Sequence, residues 1–316
     1  MNSPLRFRND GSFTIVQVTD LHWQDGGGPD RMTRALMATV LDAERPDLVV
    51  LTGDVIEGSR SADPAAAWRQ AVESIESRGI PWAAVFGNHD DEGSLDRREL
   101  MAVEQSCPMC LSESGPADVP GVGNFLLTVK SARGHSVAAA LVFVDSGSYA
   151  EDGSYACIEP GQIDWFRRQM HEVRGQSGVA RTPAIIEHAA AVVPSLVFMH
   201  IPLPEFDLVW RTGRCCGSRH EPVNCPRINS GFAAALREAG NVLGVFVGHD
   251  HVNDFDGMLD GTRLCYGRAT GFNTYGRDGF ARGARVIRLV EGERDFATWL
   301  RLDDGSRLSQ AELKSG

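Results

Sequence analysis

Residues 82–90 read Trp82-Ala83-Ala84-Val85-Phe86-Gly87-Asn88-His89-Asp90. A short apolar run passes straight into a glycine, an amide, an imidazole and a carboxylate. Turn residues need only satisfy the backbone. Here a metal-ligand type (Asn88), an acid/base type (His89) and a carboxylate suited to orienting it (Asp90) stand side by side. The apolar run predicts a strand covered on both faces, as in a parallel sheet. Whether the polar cluster has partners depends on the rest of the chain.

Upstream, the same pattern occurs twice. Residues 13–19 (FTIVQVT) predict a strand that ends in Asp20-Leu21-His22, and residues 48–51 predict another that ends in Thr52-Gly53-Asp54. Between them a helix is expected from a cap at Asp30 to about Glu44, with Met32, Leu36, Val40 and Leu41 near helical spacing. A second helix should start at Asp63-Pro64 and stop before Gly79, with Trp68, Ala71, Val72 and Ile75 as its stripe. The first 90 residues therefore read β-α-β-α-β, which predicts parallel strands. In an open α/β sheet the carboxyl ends of the strands are where ligands bind. Three polar clusters aligned at that edge make a site.

Downstream, residues 125–129 and 138–144 look like strands, the second ending in Asp145-Ser146-Gly147. Residues 162–173 read as a helix, and a helical piece is expected around 185–192. Residues 196–199 are a buried strand ending in His200. After a short helix at 231–239, residues 243–247 form another, ending in Gly248-His249-Asp250-His251. Strand-like runs at 263–266, 285–290 and 296–302 suggest an antiparallel finish. Residues 204–229 lack periodicity and carry Arg211, Arg214, Arg219, His220 and three cysteines, so they read as a lid or rim insertion.

Composition bounds the possibilities. The chain has 316 residues, 42% of them hydrophobic, and a net charge of −11. That balance, with no Lys/Arg-rich stripe, disfavours nucleic-acid binding and a nuclease role, but bound cations would let the site take an anionic substrate. No window approaches ~18 uninterrupted apolar residues, so no membrane span is expected. The N-terminal residues lack a cationic segment followed by an apolar core. The 7 cysteines are read as reduced thiols of a cytoplasmic protein, against the alternative that Cys107/Cys110 or Cys215/Cys216/Cys225 form disulfides or bind zinc.

Collected at the strand ends are Asp20, His22, Asp54, Asn88, His89, Asp90, His200, His249 and His251. These are carboxylates, imidazoles and one amide oxygen, with no thiolate, a set suited to Fe, Mn, Zn or Ni. It is too large for one metal. Two metals ~3.5–4 Å apart share a carboxylate and suit in-line displacement at phosphorus.

Asp20-x-His22, Gly53-Asp54, Gly87-Asn88-His89-Asp90, His200 after a strand and Gly248-His249-Asp250-His251 together resemble the five ordered blocks of calcineurin-like metallophosphoesterases. The nearest likeness is to a purple-acid-phosphatase-like branch, on the run Gly248-His-Asp-His-Val-Asn-Asp254 and on Gly267-Arg-Ala-Thr-Gly271. The resemblance implies one domain over residues 1–316, a four-layer α/β/β/α sandwich of two mixed sheets with the metals at the strand C-terminal ends. It implies two divalent or trivalent transition-metal ions (Mn, Fe or Zn): one held by Asp20, His22 and His251, the other by Asn88, His200 and His249, with Asp54 between them. It further implies hydrolysis of small phosphomonoesters or diesters by a metal-bridging hydroxide, with His89, oriented by Asp90, serving the leaving oxygen. Arg214, Arg219, His220 and Tyr275 are candidate substrate contacts, and Asp145 and Asn253 either partners of ligand histidines or plain turn residues.

Two departures narrow the branch. The purple enzymes carry a tyrosine three residues beyond the bridging aspartate, and protein serine/threonine phosphatases an aspartate followed by an arginine; here Glu57 and Gly58 stand there. A colourless enzyme that is not a dedicated protein phosphatase is expected. The rival from another class is a non-catalytic scaffold of the same fold.

Overall fold

The computed structural model describes residues 4–175, 192–212 and 215–310. Ser12–Val18 (β1) is buried along its whole length, and its alternate side chains serve two different cores. Phe13 and Ile15 point between two sheets, whereas Val16 and Val18 point toward helices. This period of two is repeated in the next strands. In Leu48–Thr52 (β2, after helix α1, Gly28–Glu44) Leu48 and Val50 face the other sheet while Val49 and Leu51 face helices. In Trp82–Val85 (β3, after α2, Pro64–Glu76) Ala83 and Val85 face inward and Trp82 and Ala84 outward. Strands buried on both faces need no polar alternation, which is why they read as continuous apolar runs.

The remaining elements are α3 (Arg97–Gln105), β4 (Phe125–Lys130), β5 (Val137–Phe143), α4 (Pro160–Gly175), β6 (Ser195–Phe198), α5 (Glu205–Arg211), β7 (Cys215–Cys216), α6 (Phe232–Ala239), β8 (Val242–Val247), β9 (Asp256–Leu259), β10 (Thr262–Tyr266), β11 (Gly283–Val290), β12 (Phe296–Leu302) and β13 (Arg307–Leu308). They make a 6-stranded sheet in the order β13-β12-β11-β1-β2-β3 and a 7-stranded sheet in the order β4-β5-β6-β8-β10-β9-β7. Both are mixed. β1, β2 and β3 run parallel while β11 is antiparallel to β1; β5, β6, β8 and β10 run parallel while β4 and β9 are antiparallel to their neighbours. One core packs α1, α2 and α3 on the first sheet, a second packs α4, α5 and α6 on the other sheet, and a third lies between the sheets. The α/β/β/α order follows.

The middle core is organised by phenylalanines. Phe125 and Phe143 stack at 4.4 Å, Phe143 and Phe198 at 5.4 Å, Phe198 and Phe246 at 5.3 Å, and Phe246 meets Phe296 of the other sheet at 5.4 Å. Stacked pairs add about 0.5–1.5 kcal/mol to the area they bury. The row clamps β6 and β8, the two strands of this sheet that end in site histidines.

Several local expectations are altered. Asp30 is not the N-cap of α1. It lies in the first turn and its carboxylate reaches back to the Gly26 and Gly27 amides at 2.9 and 3.0 Å, the acid half of a capping box. Asp63 does cap α2, accepting from the Ala66 amide. Residues 204–229 are less irregular than they read, since they hold α5 and β7. Phe206 and Val209 of α5 are buried, but two turns are too few to show a period. The helical piece expected at 185–192 falls almost wholly outside the described residues. None of the cysteines forms a disulfide, and no helix among the described residues is long and apolar enough to cross a membrane.

Helix α3 was not foreseen because its buried face, Leu100 and Met101, is interrupted by the equally buried Glu104. Burial, only partly relieved by the Ser112 hydroxyl, pushes the pKa of Glu104 up to about 8. Between the ordinary glutamate value and about 8, the folded chain keeps a proton that the unfolded chain gives up. Stability therefore falls as pH rises through that window and levels off above it. Glu104→Gln, which cannot ionise, is expected to raise the melting temperature by roughly 5 °C near pH 8 and by less near pH 5, as read by thermal unfolding at both values.

Candidate metal centre

Each polar cluster begins where a strand runs out. Asp20 and His22 follow β1, Asp54 follows β2, Asn88 follows β3, His200 follows β6, and His249 and His251 follow β8. The loops are tied across the sheets. The Asp20 amide donates to Gly53 O at 3.1 Å, the His22 amide to Asp54 O at 2.9 Å, and the Gly248 amide to His200 O at 3.1 Å. The His249 amide donates to Asp20 Oδ1 at 3.0 Å, which brings the β8 loop onto the β1 loop.

The backbone there is unusual. Asp20, His22, Asp54 and His249 all have left-handed φ values, of 53, 44, 48 and 76°. For residues with a side chain such conformers cost about 1–3 kcal/mol each and gather at functional sites. The two other described non-glycine cases, Arg45 and Asp260, lie at the end of α1 and in the β9–β10 turn. Glycines precede the ligands because nothing larger fits. A Cβ on Gly87 would stand 2.1 Å from Asp54 Oδ1, and one on Gly248 2.0 Å from Thr19 Oγ1.

Two buried groups of ligand atoms result, each within 4.8 Å of one another, Asp20, His22, Asp54 and His251, and Asp54, His200 and His249; a third, more exposed, is Glu57, His89 and Glu92. Asp54 belongs to both buried groups. Its Oδ2 lies 3.1 Å from His200 Nε2 and 3.6 Å from His22 Nε2. Asn88 joins the second group, with Oδ1 3.2 Å from His200 Nε2 and Nδ2 donating to the Tyr149 hydroxyl at 2.9 Å. All seven ligand side chains are buried, whereas Tyr149 is exposed.

The inward atoms are carboxylate oxygens, an amide oxygen and imidazole nitrogens. His200 Nδ1 donates to Thr52 O at 2.7 Å, which turns its Nε2 toward Asp54, Asn88 Oδ1 and, at 3.2 Å, His249 Nδ1. His22 Nδ1 is held by Glu57 Oε2 at 2.7 Å, and its Nε2 faces Asp54 and, at 3.2 Å, His251 Nε2. His251 Nδ1 meets Thr274 Oγ1 at 2.6 Å, and its Nε2 lies 3.4 Å from Asp20 Oδ1. Outer partners that fix the tautomer and aim the other nitrogen inward are the usual surroundings of metal-binding histidines. Carboxylates buried this close together need positive charge among them, from protonated imidazoles or from metal ions. The residues fit two metals, and the nitrogen and oxygen donors suit Mn, Fe or Zn.

Charge within the cluster is strongly coupled. Desolvation lowers the His200 pKa, but the Asp54 and Asp20 carboxylates and the Thr52 carbonyl together outweigh it and leave His200 raised to about 9. Burial and then the charge of His200 push His249 down to about 3. Asp54 is held well below the usual carboxylate range, with burial outweighed by His200 and His22.

His89 stands beside this cluster. Its amide donates to Asp54 Oδ1 at 2.8 Å, and its ring centroid is 5.2 Å from that of His22. The expectation that Asp90 steadies it is corrected. The fully buried Asp90 carboxylate accepts from the Ile56 amide at 2.9 Å and the Gly87 amide at 2.7 Å, so it closes the loop rather than the ring. Burial, then the charge of Asp54, raises its pKa to about 6. It is Glu92 whose Oε2 lies 2.9 Å from His89 Nδ1.

The candidate substrate contacts are scattered. The Tyr275 ring covers His251 at 4.2 Å, and its hydroxyl donates to Glu221 at 2.7 Å. Tyr155 stands edge-on to His249 at 4.4 Å on the other flank and stacks on Tyr149 at 5.7 Å. Arg219 turns instead to Asp207, at 2.9 Å, and toward the Trp210 ring. His220 is exposed and meets Phe280 edge-on. Arg214 lies outside the described residues. Asp145 pairs with Arg97, which donates to Gly87 O and Gly147 O and so props the Gly87 loop. Asn253 accepts from the His220 and Glu221 amides, as turn chemistry. Tyr149, Tyr155, Glu92, Glu221 and Thr274 were not singled out in advance as site residues, since each lies on a loop without periodicity. Glu57 was noticed only as a departure.

A sequence profile of calcineurin-like phosphoesterases matches residues 13–253. "Probable inactive purple acid phosphatase 28" of Arabidopsis thaliana is 35% identical, over 96% of this chain and 83% of that protein. "Phosphatase DCR2" of Saccharomyces cerevisiae is 33% identical, over 95% of this chain and 55% of that protein. Among solved structures, a dimetal phosphatase from Danio rerio superposes with a TM-score of 0.59 at 15% identity, over 90% of this chain and 98% of that one, a likeness of fold.

Proposed function

Because the chain belongs to the calcineurin-like phosphoesterase family, we propose that it is a metal-dependent hydrolase of small phosphate esters. The observation that carries this reading is the shared Asp54 carboxylate between two buried ligand groups, with His89 at their edge. When bound, two metals would lower the pKa of water to supply a nucleophile and neutralise the phosphoryl oxygens. Asp20, His22 and His251 would hold one, and Asn88, His200 and His249 the other.

The chain's own residues do the rest. Hydrolysis forms one P–O bond from water and breaks the ester P–O bond, and the leaving oxygen needs a proton or a hydrogen bond. His89 supplies it. Tyr275 and Tyr155 flank the site and restrict the space open to substrate. Glu57 is engaged with His22, in place of the tyrosine of the purple enzymes, which supports a colourless site.

A second reading has one observation behind it: a relative carries "inactive" in its name. A binding scaffold of this fold would keep metals without turnover. Purified chain reconstituted with Mn, Fe or Zn is expected to hydrolyse p-nitrophenyl phosphate or its bis-ester, to stop on chelation and to recover on metal addition. Metal-saturated chain inert toward both esters would favour the scaffold.

A further inference from the structure

We infer that Glu92 is the positioning residue that aims His89 at the leaving oxygen, an inference that rests on the hydrolase reading above. His89 has two ring nitrogens, and Glu92 Oε2 occupies one of them, Nδ1, at 2.9 Å. A carboxylate only accepts, so the proton sits on Nδ1 and Nε2 is the nitrogen turned to substrate. Among the described residues the other carboxylates near the ring are engaged elsewhere, Asp91 with Arg97 at 3.1 Å. Asp90 is spent on the Ile56 and Gly87 amides, and Glu57 is spent on His22 Nδ1 and the Ser59 hydroxyl.

Glu92 also ties His89 to the metal ligands. The Tyr149 hydroxyl accepts from Asn88 Nδ2 at 2.9 Å; burial raises its pKa, and the Glu92 carboxylate lies close enough to help. Donors and acceptors can alternate along this path: the Asn88 amide donates to Tyr149, the Tyr149 proton is left for Glu92, and His89 donates to the same carboxylate. The path holds Asn88 with Oδ1 inward and His89 with Nε2 outward at once. Its two ends are neighbours in sequence, yet their backbone alone leaves both rotamers open.

The consequence is a dependence on leaving group. A nitrophenolate departs with little help, whereas an alkoxide needs a proton: His89, charged and with Glu92 on its Nδ1–H, gives the Nε2 proton to the leaving oxygen and regains one from the attacking water. Glu92→Ala in the metal-loaded full chain is expected to lower the ratio of kcat for an alkyl phosphate ester to kcat for the p-nitrophenyl ester by about tenfold. Metal content should not change. Glu92→Gln keeps an acceptor oxygen and should restore most of the ratio. In zinc-loaded, ¹⁵N-histidine-labelled chain, His89 should carry its proton on Nδ1 in the wild type and in Glu92→Gln, and lose that preference in Glu92→Ala. An unchanged ratio in Glu92→Ala, or a surviving Nδ1–H preference there, would overturn the inference. If the wild-type chain turns over neither ester, the hydrolase reading falls, and the proton position on His89 alone decides the role of Glu92.

Discussion

A His89→Ala chain is expected to keep its full metal content while turnover falls by about 10²–10⁴-fold, the range for loss of a positioned acid or base. The two parts of this result come from different atoms of one residue. The His89 backbone amide, which alanine retains, donates to Asp54 Oδ1, so the carboxylate shared by both ligand groups keeps its support. The imidazole, which alanine lacks, is absent from both buried ligand groups and stands instead in the more exposed group with Glu57 and Glu92. Its hydrogen-bond partner is Glu92, at Nδ1. Metal analysis and steady-state kinetics on the same preparation check both parts. Loss of metal in this variant would make His89 a ligand or a structural prop, and the division of roles within Gly87–Asp90 would be wrong.

Asp54→Asn should do the reverse in order of cause. Metal content is expected to drop below one ion per chain, and turnover to background as a consequence. Asparagine is the informative replacement. It tolerates the left-handed backbone found at this position, and its Oδ1 can still accept from the His89 amide, so the loop has no reason to collapse. What it removes is the negative charge that Oδ2 places 3.1 Å from His200 and 3.6 Å from His22. No other carboxylate among the described residues belongs to both buried groups. A chain that kept both metals and most of its turnover after this change would refute the shared-carboxylate geometry.

The strands and the ligands were legible for the same reason. Buried parallel strands are mostly apolar runs, and each of the five that matter gives way within two residues to a glycine or a ligand, so site and fold are marked at one boundary. The residues that surround the ligands were not legible. Thr274 reaches His251 and Tyr149 reaches Asn88 across loops whose conformation no periodicity reports. Asp90 and Glu92 show the limit plainly. Three carboxylates follow His89, at one, two and three residues: Asp90 turns back to the Gly87 amide, Asp91 pairs with Arg97 at 3.1 Å, and Glu92 is the one left for the ring. Helix α3 was hidden by Glu104, a charge on its buried face. The short α5 was hidden by its length.

The most direct measurement is anomalous X-ray scattering from crystals of the metal-reconstituted chain. Two peaks ~3.5–4 Å apart are expected on either side of Asp54 Oδ2, one among Asp20, His22 and His251 and the other among Asn88, His200 and His249. A single peak at saturating metal, or two peaks with Asp54 outside both coordination shells, would contradict the account.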